Sequence, residues 1–204
     1  MEREVVERLV RVSKDLGEML ELTFQGFRKL SEASLGDIEE ARKTIRESST
    51  ELTRFLVSGK TPGESEKLWA KPLLSMASSF DRMMYNMDGI LYQLKLMIQE
   101  SVSFSDRAAK EVNDIFQEAM DLLEHLPDLI LTPDKHRAQQ IGEKVRSLSK
   151  IVDRYTLDHE ERLIQGICLP KSSLIYLGIL ESLKGVIVHT LEVSGKIIFL
   201  SSKS

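Results

Sequence analysis

Asp158, His159, Glu160 and Glu161 form the densest run of metal-liganding residue types in the chain. Adjacent side chains on a helix point about 100° apart, so four consecutive residues do not converge on one ion. The run reads instead as a solvated, charged turn near a helix end. His125 and His136 lie among loop-edge residues and read as exposed, whereas His189 falls in the most apolar stretch and reads as hydrogen-bonded at the core margin. The single Cys168 excludes an intrachain disulfide framework and a Cys-based zinc site. Its only basic neighbour is Lys171, which does not suggest an activated thiol. Met83, Met84, Met87 and Met97 could line an adaptable binding surface, but three of them fall on or beside an inward stripe and read as core. The chain has no GxxxxGK[ST], GxGxxG or HExxH, and no Gly-flanked nucleophilic Ser. It has no Glu-x-x-His either, which excludes a ferritin-like carboxylate-bridged metalloenzyme. These residues predict a protein that is not an enzyme.

The elements that would position these side chains are long and heptad-patterned. Val5, Leu9, Val12, Leu16, Met19, Thr23, Gly26 and Leu30 keep a 4-3 spacing that makes one stripe of a helix over 2–31. Leu35-Gly36-Asp37 reads as a break, with Asp37 capping a second helix over 38–57. Ser58 to Gly63 reads as a loop. A third helix over 67–100 carries Leu73, Ala77, Phe80, Met84, Met87, Leu91, Leu94 and Ile98, with Pro72 in its first turn. A second set follows over 105–131, 133–165 and 171–201, with Pro127 expected to kink or end the first and Thr132 to cap the second. Phe80-Asp81-Arg82-Met83 lies 103 positions before Leu183-Lys184-Gly185-Val186, at the same place in the two halves. The expected fold is therefore all-α, a six-helix up-and-down bundle of two tandem three-helix repeats, about 1–101 and 102–204, within one domain.

Composition agrees with this architecture and narrows the functions. The 204 residues are 42% hydrophobic and 29% charged but only 6% aromatic, as expected for amphipathic helices. A net charge of -4 argues against a nucleic-acid footprint. The stretch 174–200 is apolar, yet Glu181, Lys184, His189, Glu192 and Lys196 interrupt it at short intervals. It reads as a buried helix rather than a transmembrane segment. The charged start Met1-Glu2-Arg3-Glu4 does not resemble a secretory signal, and a cytoplasmic protein is expected.

In its third and sixth helices the chain resembles the PhoU-like family of phosphate-transport regulators, particularly its shorter branch associated with phosphate permeases. The resemblance rests on Phe80-Asp81-Arg82-Met83-Met84-Tyr85-Asn86 and Leu183-Lys184-Gly185-Val186-Ile187-Val188-His189. On the middle helix it rests on Val145, Leu148, Ser149, Val152 and Asp153, with a fainter counterpart over 45–50. The resemblance implies a regulator that docks on a membrane phosphate transporter or its sensor, with a homodimeric structural bundle as the alternative. It also implies metal-ligand positions at Arg46, Thr50, Asp81 and Tyr85 in one repeat and at Ser149, Asp153, Lys184 and Val188 in the other. Each repeat keeps one carboxylate and gains one cation, a poor set for iron or zinc. The expectation is no cofactor, with ion pairs Arg46–Asp81 and Asp153–Lys184 in place of metal. Trp69, beside the 59–63 loop, and Phe199 and Leu200 are the candidate partner-binding residues, although Trp69 reads more readily as anchoring the loop on its own core.

Overall fold

The structure is a computed structural model that describes residues 3–58 and 67–202, with side chains from residue 71 onward in the second span. Six helices run as α1 (Arg3–Lys29), α2 (Glu32–Val57), α3 (Lys67–Gln99), α4 (Asp106–Leu131), α5 (Lys135–Ile164) and α6 (Pro170–Ser201). No strand occurs among the described residues. α3 and α6 make the most extensive contact and form the central pair. α1 and α4 pack together and against that pair, while α2 flanks α1 and α3, and α5 flanks α6 and α4.

Local chemistry explains where the helices start and stop, and corrects the caps of α2 and α5 and the reading of two prolines. Ser31, not Asp37, caps α2 by accepting from the Ser34 N–H at 3.3 Å. Leu30 makes the preceding turn at φ +46°, so Gly36 lies inside the helix rather than in a break. α5 is capped by Asp134 rather than Thr132: Asp134 Oδ1 accepts from the Arg137 N–H at 2.7 Å. Pro127 sits inside α4 without ending it. Pro72 lies in the second turn of α3, because that helix already begins at Lys67. α6 starts with Pro170 in its first turn, where the missing N–H costs little.

The two halves share a common spacing. α1, α2 and α3 begin at Arg3, Glu32 and Lys67, and α4, α5 and α6 begin at Asp106, Lys135 and Pro170, each 103 positions later. The same shift carries every buried residue of α1 onto a buried residue of α4, although only Leu20 and Leu123 keep the residue type. Glu111 is the only buried α4 residue whose counterpart, Arg8, is not buried. The shared core contains Phe24, Phe27 and Phe116, with the Phe24–Phe116 centroids 5.3 Å apart and the Phe27–Phe116 centroids 5.7 Å apart. Such pairs add about 0.5–1.5 kcal/mol each beyond simple burial.

α6 is the most apolar helix. It has the length and apolar composition of a membrane span, but half of its most apolar stretch is buried within the bundle. Its contacts with α3, α4 and α5 account for the apolar residues found all round it.

Candidate functional site

The eight positions implied as metal ligands lie on α2 and α3 in the first half and on α5 and α6 in the second. Lys184 Nζ donates to Asp153 Oδ1 at 2.5 Å, joining α6 to α5. In the first half the carboxylate that remains, Asp81, accepts from Ser49 Oγ at 2.5 Å. Arg46 does not pair with Asp81: its side chain is exposed, while Ser49, three residues further along α2, faces α3. The cations that join α2 to α3 are others. Arg42 Nε donates to Asp88 Oδ1 at 2.6 Å, and Lys95 Nζ donates to Glu39 Oε1 at 2.5 Å. The bond that Arg42 donates to Asp88 raises its guanidinium above the ordinary range. Thr50 and Tyr85 are exposed, and Ser149 and Val188 are half-buried. This donor set does not fit a multi-carboxylate metal cluster, since each half contributes one acid already taken by a protein donor. Among the described residues no three His, Cys, Asp or Glu side chains gather at metal-binding spacing.

A second polar feature is the seam between α3 and α6. Ser75 and Lys196, Ser79 and Glu192, Asn86 and Gly185, Gly89 and Ser182, and Gln93 and Gly178 face one another in turn. The two helices therefore run antiparallel in a fixed register. Glycine allows the closest approach: a Cβ on Gly185 would fall 2.3 Å from Asn86 Oδ1, and one on Gly178 would fall 2.5 Å from Gln93 Nε2. At the other end, Ser79 Oγ lies 2.9 Å from Glu192 Oε2 and accepts from Lys196 Nζ at 2.8 Å. His189 Nδ1 lies 3.1 Å from the same Glu192 oxygen. Burial works against ionisation of Glu192, but bonds from Ser79 and His189 hold its carboxyl below the usual range.

The third feature lies where α4 begins, α5 ends and α6 begins, and it corrects the reading of His159. This histidine is 4% exposed, not solvated. Its ring stacks on Tyr176 with centroids 4.3 Å apart. Tyr176 Oη donates to Glu111 Oε2 at 2.5 Å, Arg162 Nη2 donates to the same oxygen at 3.3 Å, and Arg107 Nε donates to Oε1 at 2.8 Å. Arg107 also reaches Asp158 Oδ2 at 3.1 Å. Burial alone would raise the Glu111 carboxyl, but these three donors hold it below the usual range. Burial and the adjacent carboxylate push the Tyr176 phenol upward. Arg162 Nη2 lies 3.1 Å from His159 Nδ1, and a guanidinium has only donors. Nδ1 therefore accepts, and the ring proton sits on Nε2, which is buried without a partner. Burial and the Arg162 charge hold the imidazole below its ordinary range, so it is neutral. With both Glu111 oxygens occupied, the cluster braces three helices.

The remaining candidates separate. Trp69 lies outside the residues whose side chains are described. Phe199 is exposed, but Leu200 is buried, because the last turn of α6 still packs on the core. Met83, Met87 and Met97 are buried and Met84 is half-buried. His125 is exposed, 3.8 Å from Asp121, and His136 is exposed.

No protein-family model matches the sequence, and no curated protein matches it as a relative. Solved structures do match in shape. PhoU from Pseudomonas aeruginosa superposes with a TM-score of 0.85 at 12% identity, covering 98% of this chain and 97% of that one. A PhoU-like protein from Shewanella oneidensis MR-1 gives 0.61 at 12% identity, covering 98% of this chain and 100% of that one. A putative PhoU-like phosphate regulatory protein from the same organism gives 0.57 at 13% identity with the same coverage. The chain has the PhoU fold.

Proposed function

We propose that this chain is a non-enzymatic regulator of phosphate transport that docks a helical face onto a membrane phosphate transporter or its sensor, on the cytoplasmic side. The observation that carries this reading is the likeness to PhoU across 98% of the chain, with a TM-score of 0.85. The sites are in keeping with it: each polar cluster described above ties helices together. Such a protein acts by binding one conformation of its partner better than another. The same reading takes the chain as one domain of two repeats, 1–101 and 102–204, in keeping with the common 103-residue spacing of helix starts. With Asp153 held by Lys184 and Asp81 by Ser49, it works without iron or zinc.

Deleting the gene and measuring phosphate uptake, together with co-purification against a phosphate permease, tests the proposal. Altered uptake and association with the permease are expected. Unchanged uptake with a stable, permease-free homodimer would replace this reading with that of a structural bundle protein.

A further inference from the structure

Five of the ten large apolar side chains exposed among the described residues fall between positions 157 and 174. Leu157 and Ile164 lie on α5, Ile167 and Leu169 in the turn, and Leu174 at the start of α6, and each is at least 61% exposed. Scattered exposed apolar residues need no explanation, but a concentrated patch marks an interaction surface. Leu157, Glu160, Glu161 and Ile164 are spaced as one face of a helix. That face reads apolar, acidic, acidic, apolar, and all four side chains are exposed.

The patch is built, not frayed. α5 continues for 30 residues to Ile164. Arg162, in its last turn, reaches inward to Glu111. Gly166, at φ +72°, closes the helix, and the Ile167 N–H returns to the Arg162 carbonyl at 2.9 Å. The positions equivalent to His159 and Tyr176 in the first half are Leu56 and Leu73, so the polar brace is confined to the end of the bundle that carries the patch.

We infer that this surface, the outer face of the last two turns of α5 with the α5–α6 turn, is the docking site for a basic, amphipathic cytoplasmic loop of a membrane protein. The inference rests on the proposed transporter-regulating role and names the face and the partner chemistry within it. Charge selects the occupant. Glu160 and Glu161 are in no ion pair among the described residues; of the cations nearest them, Arg162 lies 3.3 Å from Glu111, Lys171 lies 2.5 Å from Glu100, and Arg154, seven positions before Glu161, lies over the Tyr155 ring. The patch therefore presents two uncompensated negative charges within an apolar field. A second copy of this chain meeting it symmetrically would bring four carboxylates together. An anionic membrane surface would be repelled by the same pair. Short cytoplasmic loops of membrane proteins carry an excess of Lys and Arg. Such a loop, folded as a helix, supplies an apolar stripe for the patch and flanking cations for the two acids.

The test places a photo-crosslinking residue at Ile167, and separately at the exposed Tyr92 on α3, in the full chain expressed in its own cells, and maps the adducts by peptide sequencing. An adduct from position 167 within a Lys/Arg-rich loop of a polytopic membrane protein is expected. It should fall about tenfold in the Glu160→Lys/Glu161→Lys variant, whose melting temperature should stay unchanged because both side chains are exposed and unpaired. Adducts from 167 to a second copy, to lipid or to a soluble protein would overturn the assignment, as would no adduct or one insensitive to the charge reversal. Capture of a phosphate transporter from position 92 alone would move the docking face and leave the regulatory role standing. Unchanged phosphate uptake in the deletion strain would remove that role itself.

Discussion

Tyr176 Oη donates a 2.5 Å hydrogen bond to Glu111 Oε2 across 65 positions of sequence, tying the start of α6 to the start of α4. Glu111 is 6% exposed, so its charge depends on this bond and on two arginines. Tyr176→Phe removes one donor and leaves the carboxylate buried. Unfolding in urea should show a loss of about 1.5–3 kcal/mol, the usual range for a hydrogen bond to a charged group. Arg162→Met, which removes a charge partner from a buried acid, should cost about 3 kcal/mol or more. A loss below about 0.5 kcal/mol in both variants would show that the cluster does not brace the bundle.

The same cluster sets an acid sensitivity. Glu111 is held below its ordinary range by its donors, so the stability it contributes is present above the unfolded-state value and disappears as pH falls through the folded one. His159 is also held down, by burial and by Arg162, so the fold favours its neutral form. That preference is fully present above the unfolded value, about 6.5, and is lost as pH falls below it. Both groups act in one direction, and the histidine acts first. Melting temperatures should fall between pH 7.5 and 5.5, and His159→Gln should flatten that slope. An equal slope in the variant would assign the acid sensitivity elsewhere.

Two glycines should respond in opposite ways to the same substitution. Gly36 lies within α2, is exposed and has open space around its Cα. Gly36→Ala should therefore stabilise by about 0.5–1 kcal/mol through helix propensity. Gly185→Ala places a methyl 2.3 Å from Asn86 Oδ1, a side chain that also bonds the Arg82 carbonyl at 2.8 Å. It should cost about 1–3 kcal/mol, and Asn86→Ala should recover most of that loss. Additive effects in the double mutant would mean that the seam is looser than its geometry implies.

The Lys184–Asp153 pair is open to solvent, with the two side chains 28% and 56% exposed. Lys184→Met should change stability by no more than about 1 kcal/mol, and less in high salt. A larger loss would make this pair a principal tie between α5 and α6.

Much of the fold was legible because burial repeats at helical spacing. Leu73, Ala77, Phe80, Met87, Leu91 and Leu94 are all buried in α3, as their 4-3 pattern predicts. The boundaries were less legible, because Ser31 and Asp134 compete with neighbouring residues that are equally able to cap. His159 was hidden by the three acids around it. The available signal was periodic: Ile141, Val145, Leu148, Val152 and Tyr155 continue by the same 4-3 steps to His159, which places it inward. Arg46 and Arg42 lie one turn apart on α2, and only the crossing of α2 over α3 decides that Arg42 meets an acid. Glu111 could not be foreseen, since its three donors come from α4, α5 and α6.

During translation, α6 emerges from the ribosome after the other five helices, yet α3, α4 and α5 all close around it. Until its residues arrive, the apolar flanks of those helices have nothing to rest against. The nascent polypeptide is then most exposed to misassociation, and maturation waits for the segment that supplies Ile179, Leu183 and Ile187.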